Sequence, residues 1–195
     1  MKKLIGTYCF ILSLSVITGP LFAAEVPDNI SKRSSANLYL TATEAYAFKQ
    51  RLSDRLLFVD IRSPAEIMFV GMPESMDINI PLLSPDYSQW SEIKRSYPME
   101  RNDRFNKQID EAINARSMTQ KDSIVLLCRS GKRSAKAASL LHNRGYAQVY
   151  TVVDGFEGDK VKTGMNKGKR MVNGWKNSQL PWGYTLDRNK ITFIQ

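Results

Sequence analysis

The sequence predicts an α/β fold built on a largely parallel sheet. Two runs, Leu56-Leu57-Phe58-Val59-Asp60 and Ser123-Ile124-Val125-Leu126-Leu127, are almost continuously apolar, the pattern of strands buried on both faces. Helix-start chemistry and helical spacing alternate with such runs along the chain, which argues for strand–helix–strand units. In order, Leu38-Tyr39-Leu40 reads as a short strand. Thr41-Ala42-Thr43-Glu44 is a capping box, with a helix to about Leu52. After the strand at 56–60, Ser63-Pro64-Ala65-Glu66 opens a second helix, with serine at the cap and proline at the first helical position. Ile78 to Pro81 is a further short strand. The polar stretch from Ser84 to Gln120, punctuated by Pro85 and Pro98, contains one amphipathic helix marked by Phe105, Ile109, Ala112 and Ile113. The strand at 123–127 runs into Cys128. A loop to Arg133 leads to a helix from Ser134 to His142, closed by Gly145. Gln148 to Val153 is the last strand, and Asp159 to Lys176 reads as a mobile glycine- and lysine-rich surface loop.

A chain of 195 residues, 43% hydrophobic and 24% charged, suffices for one domain with its own core. Its start has a different composition. Lys2 and Lys3 precede an apolar run from Leu4 to Ile17, then Gly19-Pro20 and Leu21-Phe22-Ala23-Ala24. That order is the signature of a signal peptide over residues 1–24. The run is short for a bilayer span, which takes about 20 apolar residues. Cleavage, rather than retention as an anchor, is therefore the expectation, and it puts the mature protein in the periplasm or outside the cell with no stable membrane span. Residues 25–36 form a polar leader and 37–195 the domain. Loss of Lys2 and Lys3 from the 28 basic residues leaves a formal +7 against 19 acidic ones. A strongly cationic exported protein favours small anionic ligands or acidic surfaces over nucleic acid.

The same removal takes away Cys9 and leaves Cys128 as the single cysteine of the mature chain. An unpaired thiol in an oxidising compartment is a candidate reactive group. Its setting supports that. Cys128 follows a buried strand and precedes a helix, and ligands bind beyond the carboxyl ends of strands in parallel sheets. Cys128-Arg129-Ser130-Gly131-Lys132-Arg133 has no bulky apolar residue. Such a loop can turn several N–H groups inward as an anion nest, backed by the positive end of the helix. Arg129, Lys132 and Arg133 add charge, and the thiolate is the nucleophilic form. A buried core cysteine explains the strand but not three cations in the next five positions. A single histidine, His142, sits on the following helix and suits a helix-end role better than a dyad. One cysteine and one histidine make a metal site improbable, and no cofactor is expected.

Read together, these segments resemble the rhodanese family. Leu57-Phe58-Val59-Asp60-Ile61-Arg62-Ser63-Pro64-Ala65-Glu66 is similar to its early "VDVR-x-x-x-E" motif, and Ile78-Asn79-Ile80-Pro81 to its "A-x-N-I-P" segment. Cys128 to Arg133 is similar to the active-site loop, Gly145-Tyr146 with Val149 to Gly155 to the approach to its glycine pair, and Gly174-Trp175 with Leu180-Pro181 to its late "W-x-x-x-G-L-P" motif. The resemblance implies a rhodanese-like three-layer fold with a mainly parallel central sheet and insertions at about 84–120 and 157–173. It implies a ping-pong sulfurtransferase in which Cys128 takes a sulfur from an anionic donor such as thiosulfate as a persulfide. A thiol or cyanide then accepts it. Arg129, Ser130, Gly131, Lys132, Arg133 and Ser134 are the implied donor-binding residues. The four residues between Cys128 and Arg133 are one fewer than in the phosphatases of related fold, and the basic loop resembles thiosulfate-using members more than mercaptopyruvate-using ones.

The chain departs from the family in places. Gly71-Met72-Pro73-Glu74-Ser75 replaces a Gly-His-Ile-Pro-Gly segment, and Asp154-Gly155 replaces the glycine pair. Asp60 and Arg62 are candidates for an ion pair that braces the active-site loop. Trp175 and Trp182 are expected in packing, and Tyr87 and Trp90 are candidates for the site entrance. Two other functions compete with the enzyme: a non-catalytic persulfide carrier that serves an exported protein partner through the basic 159–176 segment, and a phosphatase or arsenate-type reductase, which the short loop disfavours.

Overall fold

The computed structural model describes residues 24–192. Residues 1–23 of the expected export segment lie outside it. No helix among the described residues is long and apolar enough to cross a membrane.

The chain forms β1 (Tyr39–Leu40), α1 (Ala42–Leu52), β2 (Leu56–Asp60), α2 (Pro64–Val70), β3 (Met72–Pro73), β4 (Ile78–Asn79), β5 (Leu83–Pro85), β6 (Met99–Arg101), α3 (Phe105–Ala115), β7 (Ser123–Leu127), α4 (Lys132–His142), β8 (Gln148–Val152) and β9 (Trp182–Gly183). The central sheet has the order β1-β8-β7-β2-β4, and all four pairings are parallel. Consecutive residues of β2 and β7 point to opposite faces, and the core divides accordingly. Leu57, Val59, Ile124 and Leu126 pack with Phe105, Ile109 and Ile113 of α3 and with Ala137, Ala138 and Leu141 of α4. Leu56, Phe58, Val125 and Leu127 pack with Ala45 and Phe48 of α1, Ile67 of α2 and Trp175. These two cores make the three layers.

Both expected capping boxes form, Thr41 with Glu44 on α1 and Ser63 with Glu66 on α2. The last helix starts at Lys132, two residues before the expected Ser134, because Gly131 at φ +89° turns the chain directly into it. The middle stretch holds more order than one helix. β5 and β6 pair antiparallel and carry between them an exposed aromatic cluster in which Tyr97 meets Tyr87 at 5.1 Å and Trp90 at 5.6 Å. A second antiparallel pair, β3 with β9, was not signalled by its two-residue strands.

The polar leader lies against the domain. The Ser35 N–H donates to Ser139 Oγ of α4 at 3.0 Å, and Lys32, only 7% exposed, reaches Asp159 at 2.8 Å. That ion pair ties the leader to the excursion read from sequence as a mobile loop. The excursion is a hydrogen-bonded hairpin: Lys160 bridges Arg170, the Val161 N–H donates to Lys169 O at 2.9 Å and the Gly168 N–H to Val161 O at 2.9 Å. At its foot Gly158 and Gly174 touch so closely that a Cβ on Gly158 would lie 1.8 Å from Asn173 O. Only glycine permits that approach.

Candidate active site

β7 is flanked by β2 and β8, so the chain leaves its carboxyl end at the centre of the sheet. Cys128 is the first residue beyond it. The backbone around it is held from both sides. The Phe156 N–H donates to Cys128 O at 2.8 Å, and Glu157 and Gly158 donate to Arg129 O at 3.0 and 3.3 Å. Gly155, at φ +67°, passes so close beneath the loop that a Cβ there would lie 2.5 Å from both Cys128 O and Ser130 N. The fit of loop on glycine is the physical reason for the Asp154-Gly155 pair read from the sequence.

Cys128 is 1% exposed, yet it is not sealed in hydrocarbon. It forms the floor of an open cleft of about 410 Å³ lined by Glu66, Met99, Arg129, Ser130, Lys132, Arg133 and Arg170. The Gly131 N–H donates to Sγ at 3.2 Å, and Sγ lies 3.6 Å from Ser134 Oγ. Ser134 is fully buried; its hydroxyl donates to Gly131 O at 2.9 Å and accepts from Thr151 Oγ1 at 2.6 Å. Ser134 therefore fixes the loop from below and faces the sulfur, not the cleft.

The cations differ in how free they are. Arg133 lines the cleft, but both its terminal nitrogens bind Glu66, at 2.7 and 2.5 Å. Glu66 Oε2 also accepts from the Ser63 N–H at 3.0 Å, so the capping carboxylate of α2 doubles as the clamp on α4. Burial works to raise the Glu66 pKa, but the hydrogen bonds and charge of Arg133 outweigh it and hold it at about 2. Burial likewise opposes the charge on Arg133, and Glu66, followed by Cys128, more than compensates, raising it above the usual arginine value. Arg133 thus has a carboxylate already in place where the sequence reading gave it only a donor anion. Arg129 and Lys132 are exposed at the rim.

Asp60 and Arg62 are fully buried and paired, Arg62 Nη2 to Asp60 Oδ2 at 2.6 Å. Arg62 also donates to Gly71 O at 2.8 Å and lies 3.9 Å over the ring of Phe156, the residue whose N–H binds Cys128 O. The pair meets the loop at one remove, through Phe156. Asp154 accepts from Ala42 N at 2.8 Å and Gly174 N at 3.1 Å. Burial pushes its carboxyl up to about 6, against the pull of those amides. Tyr87 and Trp90 do not line the cleft; Met99, which opens β6 just after the loop that carries them, does. His142 stands at the end of α4, away from the cleft. Sequence reasoning missed Glu66 as the partner of Arg133, and it read Arg170 within the basic excursion without placing it at the cleft. Capping spacing exposes the first only once α2 and α4 are seen side by side, and nothing local signals the second.

The sheet and its connections agree with what known proteins show. The rhodanese-like domain pattern matches residues 44–162. Two uncharacterized proteins, from Rickettsia rickettsii and from Rickettsia prowazekii, are each 33% identical, over 132 and 135 residues. The aligned part is 68% of this chain in both cases and 86% and 87% of theirs. The crystal structure of Rv0390 from M. tuberculosis superposes with a TM-score of 0.54 at 27% identity, covering 75% of this chain and 97% of that one. A mixed α/β domain with a five-stranded parallel sheet, matched by that pattern over more than half its length, the chain belongs to the rhodanese-like domain family.

Proposed function

We propose that this protein is an exported sulfurtransferase that carries sulfur as a persulfide on Cys128. The Cys128 thiolate attacks the outer sulfur of an anionic donor such as thiosulfate. A sulfur–sulfur bond forms to Cys128, the bond to the sulfonyl sulfur breaks, and sulfite leaves with the electron pair. A thiol or cyanide then attacks the outer persulfide sulfur, takes it as a new persulfide or as thiocyanate, and returns Cys128 as thiolate. One observation carries the reading: Sγ receives an amide N–H at 3.2 Å on the floor of a cleft whose rim is cationic. Fixed dipoles and cations that face a developing negative charge need no reorganisation during reaction. They complement the thiolate, the dianionic donor and the anionic persulfide in turn. Export is supported by the charge and apolar pattern of residues 1–24.

The test is intact mass after incubation with thiosulfate. The wild-type chain is expected to gain one sulfur atom, reversed by cyanide with release of thiocyanate, and Cys128→Ser is expected to gain none. An unchanged wild-type mass, with thiocyanate formation no faster than in Cys128→Ser, sinks the proposal. Loading that passes to neither cyanide nor a thiol would favour a persulfide carrier for an exported protein partner.

A further inference from the structure

The cleft over Cys128 is cationic in a particular way. Of its four basic residues, Arg133 is neutralised by a bidentate carboxylate. Arg129, Lys132 and Arg170 have no carboxylate within ion-pair distance among the described residues. Arg170 is not part of the nucleophile loop. It stands at the returning end of the 159–176 hairpin, opposite Lys160, yet it lines the same cleft as Cys128 and Arg129.

Its position is fixed. Arg170 Nη1 donates to Gly158 O at 2.5 Å, and the Gly158 N–H donates to Arg129 O. The hairpin foot is held by Asp159, which pairs with Lys32 and takes bonds to and from Asn173 at 2.8 and 3.2 Å. Partial burial and the charge of Arg129 lower the Arg170 pKa, against the smaller opposing pull of Glu157, Asp159 and Cys128. Arg129 and Arg170 repel one another and line one cleft; an anion placed between them relieves that repulsion, and the relief grows with its charge. Arg170 has one nitrogen anchored to a carbonyl and the rest of its planar fork left for oxyanion recognition.

Resting on the persulfide reading of Cys128, we infer that Arg170 is a specificity-determining residue that selects doubly charged sulfur donors by binding their oxyanion end. The hairpin that looks like a surface appendage thus completes the donor site. In the loading step the terminal sulfur of the donor bonds to Cys128 while the departing sulfur, with its oxygens and the electron pair, leaves as sulfite against Arg170. The acceptor step involves no departing oxyanion, so Arg170 contributes little to it.

Thiosulfate and methanethiosulfonate test this directly. Both present a terminal sulfur for transfer, and the second replaces one charged oxygen by a methyl group and releases methanesulfinate. For Arg170→Gln, kcat/KM for persulfide loading from thiosulfate is expected to fall about tenfold, the worth of one charge-assisted contact. The loss with methanethiosulfonate should be much smaller, so the preference ratio collapses. Discharge of preloaded enzyme to cyanide should keep its wild-type rate, and Arg170→Lys should keep part of the ratio. Lys167→Gln, at the exposed hairpin tip, should behave as wild type. An unchanged ratio in Arg170→Gln, or equal losses with both donors and in discharge, overturns the inference. Should Arg170→Gln fail to fold, the ratio in Arg170→Lys decides: an unaltered value overturns it as well. Absence of loading in the wild type from either donor would instead overturn the persulfide reading itself.

Discussion

Two regions supply the surroundings of Cys128, and they are held by different physics. The segment 128–134 is fixed by main chain: the parallel register of β7 between β2 and β8, the N–H groups that bind Cys128 O and Arg129 O, and glycines 131 and 155 where no Cβ fits. The hairpin at 159–176 closes on itself through main-chain bonds, but side chains tie its foot: Lys32 with Asp159, Asp159 with Asn173, and Arg170 with Gly158 O. Main-chain geometry survives most substitutions, whereas a side-chain anchor can be lost in one. The difference implies a division of labour: the proposed nucleophile sits on the part of the fold that varies least easily, and the proposed donor selection on the part that varies most easily.

The largest effect is expected from a change on the main-chain side. Gly155→Ala introduces a Cβ 2.5 Å from two backbone atoms of the loop at a φ of +67°. Neither atom belongs to a flexible side chain, so the loop or the 154–156 segment must shift. A loss of roughly 3 kcal/mol or more is expected, about 10 °C in melting temperature for a domain of this size, together with slower sulfur loading. Calorimetry and loading kinetics measure both. A variant that melts with the wild type would show that the loop is not seated on Gly155.

How much of this was legible in the sequence follows the same line. β2 and β7, both capping boxes and the Cys128 loop were readable because their signals are local: an apolar run, a cap spacing of three, three cations in a row of six. The β5–β6 and β3–β9 pairs were not, since strands of two or three residues carry no period. The hairpin read as a solvated loop because its glycines and lysines say nothing of Lys32, whose partner lies 127 residues away. Glu66 was legible as a cap and not as the clamp on Arg133, because the clamp depends on α2 and α4 meeting beside the site. The departing feature Asp154-Gly155 keeps the glycine on whose Cα the loop is seated.

The second probe lies between the two regions, where side chains brace the main-chain loop. Glu66→Gln keeps an oxygen for the Ser63 N–H and removes the charge that faces Arg133. Glu66 is held at about 2, below its ordinary 4.5. A carboxyl depressed in the folded state adds stability that is fully present above its unfolded pKa and lost as pH falls through its folded one. The pair should therefore contribute on the order of 3 kcal/mol at neutral pH, declining between about 4.5 and 2. Urea unfolding of wild type and Glu66→Gln should differ by that amount at pH 7, and the gap should narrow as the solution is acidified through that window. A gap that stays constant with pH would mean that the charge is not what holds Arg133.

The smallest effect on stability should come from the hairpin, and it is the most informative about function. Lys32→Met keeps the length of the aliphatic stem that packs under the hairpin foot and removes the ammonium. Asp159 is 42% exposed on its side chain, so it rehydrates readily and screening limits what the pair is worth; a loss of about 1 kcal/mol or less is expected. Yet the pair joins the leader to the hairpin foot at Asp159, the residue that bonds Asn173 and that directly follows Gly158, against which Asn173 and Gly174 close. With Arg170 in its proposed role, a looser foot lets it swing, and the cost falls on orientation of the donor. Lys32→Met should therefore raise KM for thiosulfate several-fold while discharge of the preloaded persulfide stays at its wild-type rate. A variant with lowered melting temperature but unaltered KM would place the leader in stability alone and detach it from donor recognition.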